Sequence, residues 1–154
     1  MIPIRDENPT SSTPHVTRVL LIINVVAFFA LLLSGSLEKA INEYGMTPAL
    51  VMDGKRLYTL VTSMFLQGGV LHLTGNMLYL HIFGDNVEDA LGHGRYLAFY
   101  LVSGIAASMA HIFATDPSLW DAPAVGASGA ISGILGAYII LYPRARILTL
   151  LLIR

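Results

Sequence analysis

The 154-residue chain contains no cysteine. Disulfides, thiolate nucleophiles and thiolate-held metal or iron–sulfur centres are therefore excluded. Charge is scarce as well: Asp, Glu, Lys and Arg make up 12% of the residues, about half the usual share in soluble domains. A net charge of −1 supplies no basic surface, so nucleic acid is not expected as a partner. What fills the space is apolar: 55% of residues are hydrophobic, many of them in long uncharged runs. Such a balance suits a chain whose solvent is a lipid bilayer. The opening M-I-P-I-R-D-E-N-P-T-S-S-T-P lacks the plan of a cleavable signal, in which basic residues directly precede a short apolar run. The first apolar run is full length and is expected to remain as an anchor.

In chain order, residues 1–16 read as a polar, proline-punctuated and mobile cytoplasmic leader. Residues 17–34 form a first span, with Asn24 expected to bond its own backbone or another helix. Residues 35–69 mix charged positions with apolar clusters, which suits helices lying at the headgroup level. The second span, about 70–84, is short and carries His72, Thr74, Asn76 and His81. After it, G-D-N-V-E-D-A-L-G-H-G-R is expected to be a tight polar connection, with Asp85, Glu88 and Asp89 in a solvated turn rather than a metal site. A third span covers about 96–114 and holds His111. A short acidic loop then leads to a fourth span, about 125–142, which Pro143 stops. The expectation is an all-α integral membrane protein, a polytopic bundle of four transmembrane helices with an interfacial first loop. Residues 17–154 form its membrane domain.

The fourth span, V-G-A-S-G-A-I-S-G-I-L-G-A-Y-I-I-L-Y, organises the rest. At about 100° per residue, Gly126, Gly129, Ala130, Gly133, Gly136 and Ala137 share one face. Each glycine costs a helix roughly 1 kcal/mol, so the stripe needs a close-packed neighbour, as helices in lipid provide. Ser128 sits near the opening end, about 160° from the centre of the stripe.

Orientation follows from the basic residues near span ends. With the N-terminus cytoplasmic, Arg5, Arg18, Arg95, Arg144, Arg146 and Arg154 lie inside, and only Lys39, Lys55 and Arg56 lie outside. His72, His111 and Ser128 then stand at similar depth below the outer surface. His72 and Asn76, four apart, share a helical face and offer side-chain N–H donors to one point. Donors so placed could form an oxyanion hole or an interhelical hydrogen-bond pair, and spacing alone leaves both open. His81 points the other way, towards the cytoplasmic end, as a packing or interfacial residue.

G-A-S-G-A-I-S-G, then L-G-A-Y and P-R-A-R, resembles the serine helix of the rhomboid family of intramembrane serine proteases, with its G-x-S-G signature. His72-Leu73-Thr74-Gly75-Asn76 is similar to that family's H-x-x-x-N. The stretches L-V-T-S-M-F-L, F-G-D-N-V-E-D-A-L-G-H and I-P-I-R-D-E-N-P-T are also rhomboid-like, so the resemblance covers essentially the whole chain. It implies four helices of a six-helix core, in a multi-pass protein of a prokaryotic cell membrane. It further implies Ser128 as nucleophile, His72 and Asn76 with the Ser128 N–H in the oxyanion hole, and Gly126 keeping the approach open. Arg56 would match a bundle-shaping arginine of the first loop. The implied substrates are single-span transmembrane proteins, with no metal or organic cofactor. Lys55 and Gln67 depart from the family's Trp and His and read as structural. The larger departure is an absence. The family's base histidine, in an A-H-x-x-G context on a sixth helix, has no counterpart here, although Ala110-His111 echoes two of its letters. The reading is therefore of a C-terminally truncated protease core, inactive alone. The alternative is a non-catalytic module that binds transmembrane partners. A channel or transporter is disfavoured because no charge lies in the interior of a span.

Overall fold

Thr17, Leu20, Asn24 and Phe28 are the buried positions of the first helix, α1 (His15–Leu33). Their spacing draws one narrow stripe along the helix, and Val19, Ile22, Val26 and Leu33 are left exposed. An apolar helix with a thin buried seam and apolar flanks is built to face lipid. The computed structural model describes residues 2–150. After α1, the first connection folds into the short helices α2 (Leu37–Tyr44), α3 (Pro48–Met52) and α4 (Thr59–Thr62). The longer helices α5 (Val70–Leu91), α6 (His93–Ala114) and α7 (Ser128–Leu141) follow. α1 and α6 are each long and apolar enough to cross a membrane, whereas α7 is apolar but shorter.

α7 is the hub, packing against both α6 and α5, while α5 also packs on α1. Leu20, Leu80, Phe83, Tyr96, Tyr100, Ile131, Ile134 and Tyr138 fill the core between them. The glycine stripe is only partly the expected seam. A Cβ on Gly129 would meet Ala107 Cβ at 2.6 Å, and one on Gly133 would run into Ser103, so these two let α6 and α7 touch. Gly136 has open space before it, and Gly126 lies ahead of the helix altogether.

The expectations for residues 84–95 need correction. No turn follows residue 84: α5 continues to Leu91, and Gly92 at φ +78 makes the break. Nor is Glu88 solvated, for it is fully buried. Its carboxylate accepts from the backbone N–H of Val16 and Thr17, both at 2.8 Å, and from Thr17 Oγ1 at 2.7 Å. Pro14, at the N-cap of α1, has no side-chain acceptor. A residue from another helix therefore satisfies N–H groups that the first turn of α1 leaves free, and its charge suits that end of the dipole. Burial pushes the Glu88 carboxyl up, but these hydrogen bonds and one with His93 Nδ1 at 2.6 Å outweigh it and hold it below the usual glutamate value.

The leader is fastened too. Strand β1 (Ile2–Asp6) pairs antiparallel with β2 (Ile147–Leu150), so a two-stranded ribbon joins the otherwise helical architecture. Asp6 Oδ2 accepts from Asn86 Nδ2 at 2.7 Å and Tyr138 Oη at 3.0 Å, and the Ser11 and Ser12 N–H groups both reach the Asp89 carboxylate at 2.9 Å.

Candidate active site

Ser128 is the first residue of α7, so the N–H groups of its opening turn have no partners within the helix. The approach to that turn is held by the first connection. Met46 and Ala124 form an antiparallel bridge, and Gly126 N–H donates to Ser63 O at 2.9 Å. Gly126 has φ +132, a conformation that favours glycine, and the His72 ring occupies the space a side chain would need. What the missing side chain of Gly126 leaves room for is the His72 imidazole.

The His72 tautomer follows from its partner. Nδ1 lies 3.2 Å from the backbone N–H of Gly68, which can only donate, so Nδ1 accepts. In a neutral imidazole the proton then sits on Nε2. That nitrogen is the one beside Gly126. His72 is therefore an N–H donor at the mouth of α7, as an oxyanion stabiliser would be.

Asn76, one turn further along α5, is buried and donates from Nδ2 to Gln67 Oε1 at 2.7 Å. Gln67 Nε2 donates to Asn24 Oδ1 at 2.8 Å, and Asn24 Nδ2 to the Leu20 carbonyl at 2.9 Å. Asn24 bonds its own backbone, as expected, and its other partner lies in the connection before α5 and not in another helix. Gln67 joins Asn24 to Asn76, in keeping with the structural part expected of it. It is fully buried, and its position nine residues before Asn76 gives no periodic signal.

Ser128 stands between two cavities. One, of about 330 Å³, is lined by His72, Asn76 and Ser128 together with Ile131 and Leu135. The other, of about 250 Å³, lies towards α6 and is lined by Ser63, Ser108, His111 and Ser128 among others. The structure thus brings Ser128, His72 and Asn76 to one wall and places His111 on the opposite side. Thr115 Oγ1 gives its proton to the His111 carbonyl at 2.7 Å and lies 3.4 Å from His111 Nε2. Among the described residues, no group hydrogen-bonds Ser128 Oγ, and the Ser128 carbonyl accepts from Ser132 Oγ at 2.8 Å. His81 is exposed on α5. Arg56, at φ +50, donates to the Asn42 carbonyl at 3.2 Å and so ties α2 to the turn before α4. Among the described residues no cluster of three His, Asp or Glu could hold a metal ion.

A helical membrane protein with a serine at a glycine-bordered helix mouth, facing an imidazole N–H and an amide, defines a narrow class. The Rhomboid domain matches residues 54–154, and the chain belongs to that family. It is 35% identical over 127 residues to the rhomboid protease GluP of Bacillus subtilis, covering 80% of this chain and 24% of that protein. To RHOMBOID-like protein 5 of Arabidopsis thaliana it is 41% identical over 88 residues, 57% of this chain and 28% of the relative. Inactive rhomboid protein 1 of Drosophila melanogaster is 30% identical over 101 residues, covering 65% of this chain and 7% of the relative. The chain therefore spans less than a third of the length of each of these three relatives.

Proposed function

We propose that the chain carries the nucleophile and oxyanion side of an intramembrane serine endopeptidase. Ser128 Oγ would attack a peptide carbonyl, the charge developing on its oxygen would be met by the Ser128 N–H, His72 Nε2–H and Asn76 Nδ2, and the peptide C–N bond would then break as the amine leaves with the serine's proton. Water would then release the acyl group. The observation that carries this reading is the His72 tautomer, fixed by Gly68, which turns the protonated nitrogen to Gly126. Substrates would be single-span proteins whose helix unwinds readily, since a hydrogen-bonded helix hides its carbonyls. The chemistry needs no metal or organic cofactor. In this reading four spans of a six-helix core lie in a prokaryotic cell membrane with the N-terminus cytoplasmic, as the arginine distribution favours.

The test is reaction of the bilayer-reconstituted chain with a fluorophosphonate, read by intact mass. Label on Ser128 that is absent from Ser128→Ala is expected; no label at Ser128 would overturn the assignment of a nucleophile.

A second reading has its own support. With Nδ1 committed to Gly68, His72 cannot also take the proton of Ser128, and a serine without a base turns over slowly. The chain by itself would then be a module that holds transmembrane partners without cutting them, and one relative is named an inactive rhomboid. Steady cleavage of a model transmembrane substrate by the chain alone would exclude this reading. If that cleavage were lost in His111→Ala, His111 would be the base.

A further inference from the structure

The three amides behind the site form a chain with a direction. The Leu20 carbonyl at one end can only accept. Asn24 must therefore present Nδ2 to it and Oδ1 to Gln67; Gln67 must present Nε2 to Asn24 and Oε1 to Asn76; Asn76 must present Nδ2 to Gln67. Each amide is ambiguous alone, and a fixed backbone group removes the ambiguity from all three. Asn24 and Gln67 are fully buried, so a partner lost between them is not readily replaced by water, whereas Asn76 reaches the cavity wall. Asn24 sits on α1, Gln67 just ahead of α5, and Asn76 on α5 itself. The relay thus crosses between elements and ends at the wall that carries Ser128.

We infer that Asn24 and Gln67 are positioning residues, which hold the Asn76 amide with its N–H side fixed as the proposed oxyanion donor. This rests on the reading of Asn76 given above, but the relay itself does not. Without the relay, the Asn76 amide can turn over and present its carbonyl oxygen, which repels a developing oxyanion. A residue distant from the reaction would then set the sign of a dipole at its centre.

The relay can be read without catalysis, from the side-chain NH2 resonances of the reconstituted, 15N-labelled chain. In the unaltered protein, the Asn24, Gln67 and Asn76 amide protons should exchange with water at least about tenfold more slowly than the exposed Asn42 side chain, as buried and bonded groups do. In Asn24→Leu the Asn76 protons should exchange faster and shift, although the bond from Asn24 reaches Asn76 only through Gln67. In Asn24→Ser, a hydroxyl can donate back to the Leu20 carbonyl and accept from Gln67, and protection should largely return. Fluorophosphonate labelling of Ser128 should fall about three- to tenfold in Asn24→Leu, the scale of one neutral hydrogen bond. Asn76 protons as fast as those of Asn42 in the unaltered protein would overturn the relay even if Asn24→Leu fails to fold. So would an Asn76 signal unmoved in a folded Asn24→Leu. Slow amides that respond as expected, with Ser128 unlabelled in every form, would leave the relay standing and remove the proposed nucleophile.

Discussion

The ring of His72 lies against the backbone of Gly126 so closely that a Cβ there would come within 2.7 Å of Cε1 and 2.9 Å of Nε2. Two independent demands meet at this glycine, a φ of +132 and the space of an imidazole. Gly126→Ala should strain the backbone by about 1–3 kcal/mol and push the ring aside. A displacement of about 1 Å commonly costs about 10²-fold in rate. Labelling of Ser128 should drop by that order, with a smaller loss in thermal stability. An unchanged labelling rate would mean that the His72–Gly126 contact does not serve the serine.

Removing the amide itself should be equally severe for chemistry, and it should also cost about 1–3 kcal/mol of stability, because Gln67 Oε1 loses its donor. Asn76→Ala should slow acylation of Ser128 about 10²–10³-fold, as for loss of one oxyanion donor. Single-turnover labelling beside a melting curve separates the two effects. A parental rate would assign Asn76 to packing alone.

Glu88 is expected to matter for stability and not for the serine. Glu88→Ala leaves the N–H groups of Val16 and Thr17 without their carboxylate, a loss of about 3 kcal/mol for bonds to a charged group. Glu88→Gln keeps an acceptor and should cost less. Unfolding in detergent, followed by circular dichroism, gives the order; equal stability of all three forms would contradict the cross-helix cap.

The leader should come loose in acid. Backbone and hydroxyl hydrogen bonds from Ser11 and Ser12 lower the Asp89 pKa to about 2, from 3.8. A carboxyl depressed in the folded state stabilises above its unfolded pKa, and that contribution fades as pH falls through the folded value. Ser11 and Ser12 amide protection should hold at pH 5 and disappear between about pH 4 and pH 2. Asp89→Asn should remove the pH dependence. Protection that persists at pH 2 would show that the strand pairing alone secures the leader.

Topology can be checked with cysteines, which the chain lacks naturally. Positions 5 and 144 should be shielded from an impermeant thiol reagent in intact cells, and positions 55 and 121 open to it. Labelling at 144 from outside would reverse the proposed orientation.

Periodicity revealed the apolar helices because lipid exposure and a narrow buried stripe leave a plain mark on composition, as in α1. The pairing of His72 with Asn76 was legible for the same reason, being a helical interval. Gln67 was not, since its role depends on where a loop meets two helices. Glu88 was misread because a charged letter in a run with Asp85 and Asp89 signals solvent, and nothing local reveals that another helix lacks a cap. The leader was misread alike: Ser11 and Asp89 lie 78 positions apart, beyond any sequence window. Ser128 drew attention by its place at the entry of α7 and by its company, not by the glycine stripe, of which only Gly129 and Gly133 serve the α6–α7 contact.

The cap on α1 also sets a timetable. Thr17 waits for a partner 71 residues downstream, and at about 5–20 residues per second a ribosome takes several seconds to supply it. Through that interval the amino end of the first helix lacks its carboxylate, so the cap that fastens α1 to α5 can close only after α5 has been made.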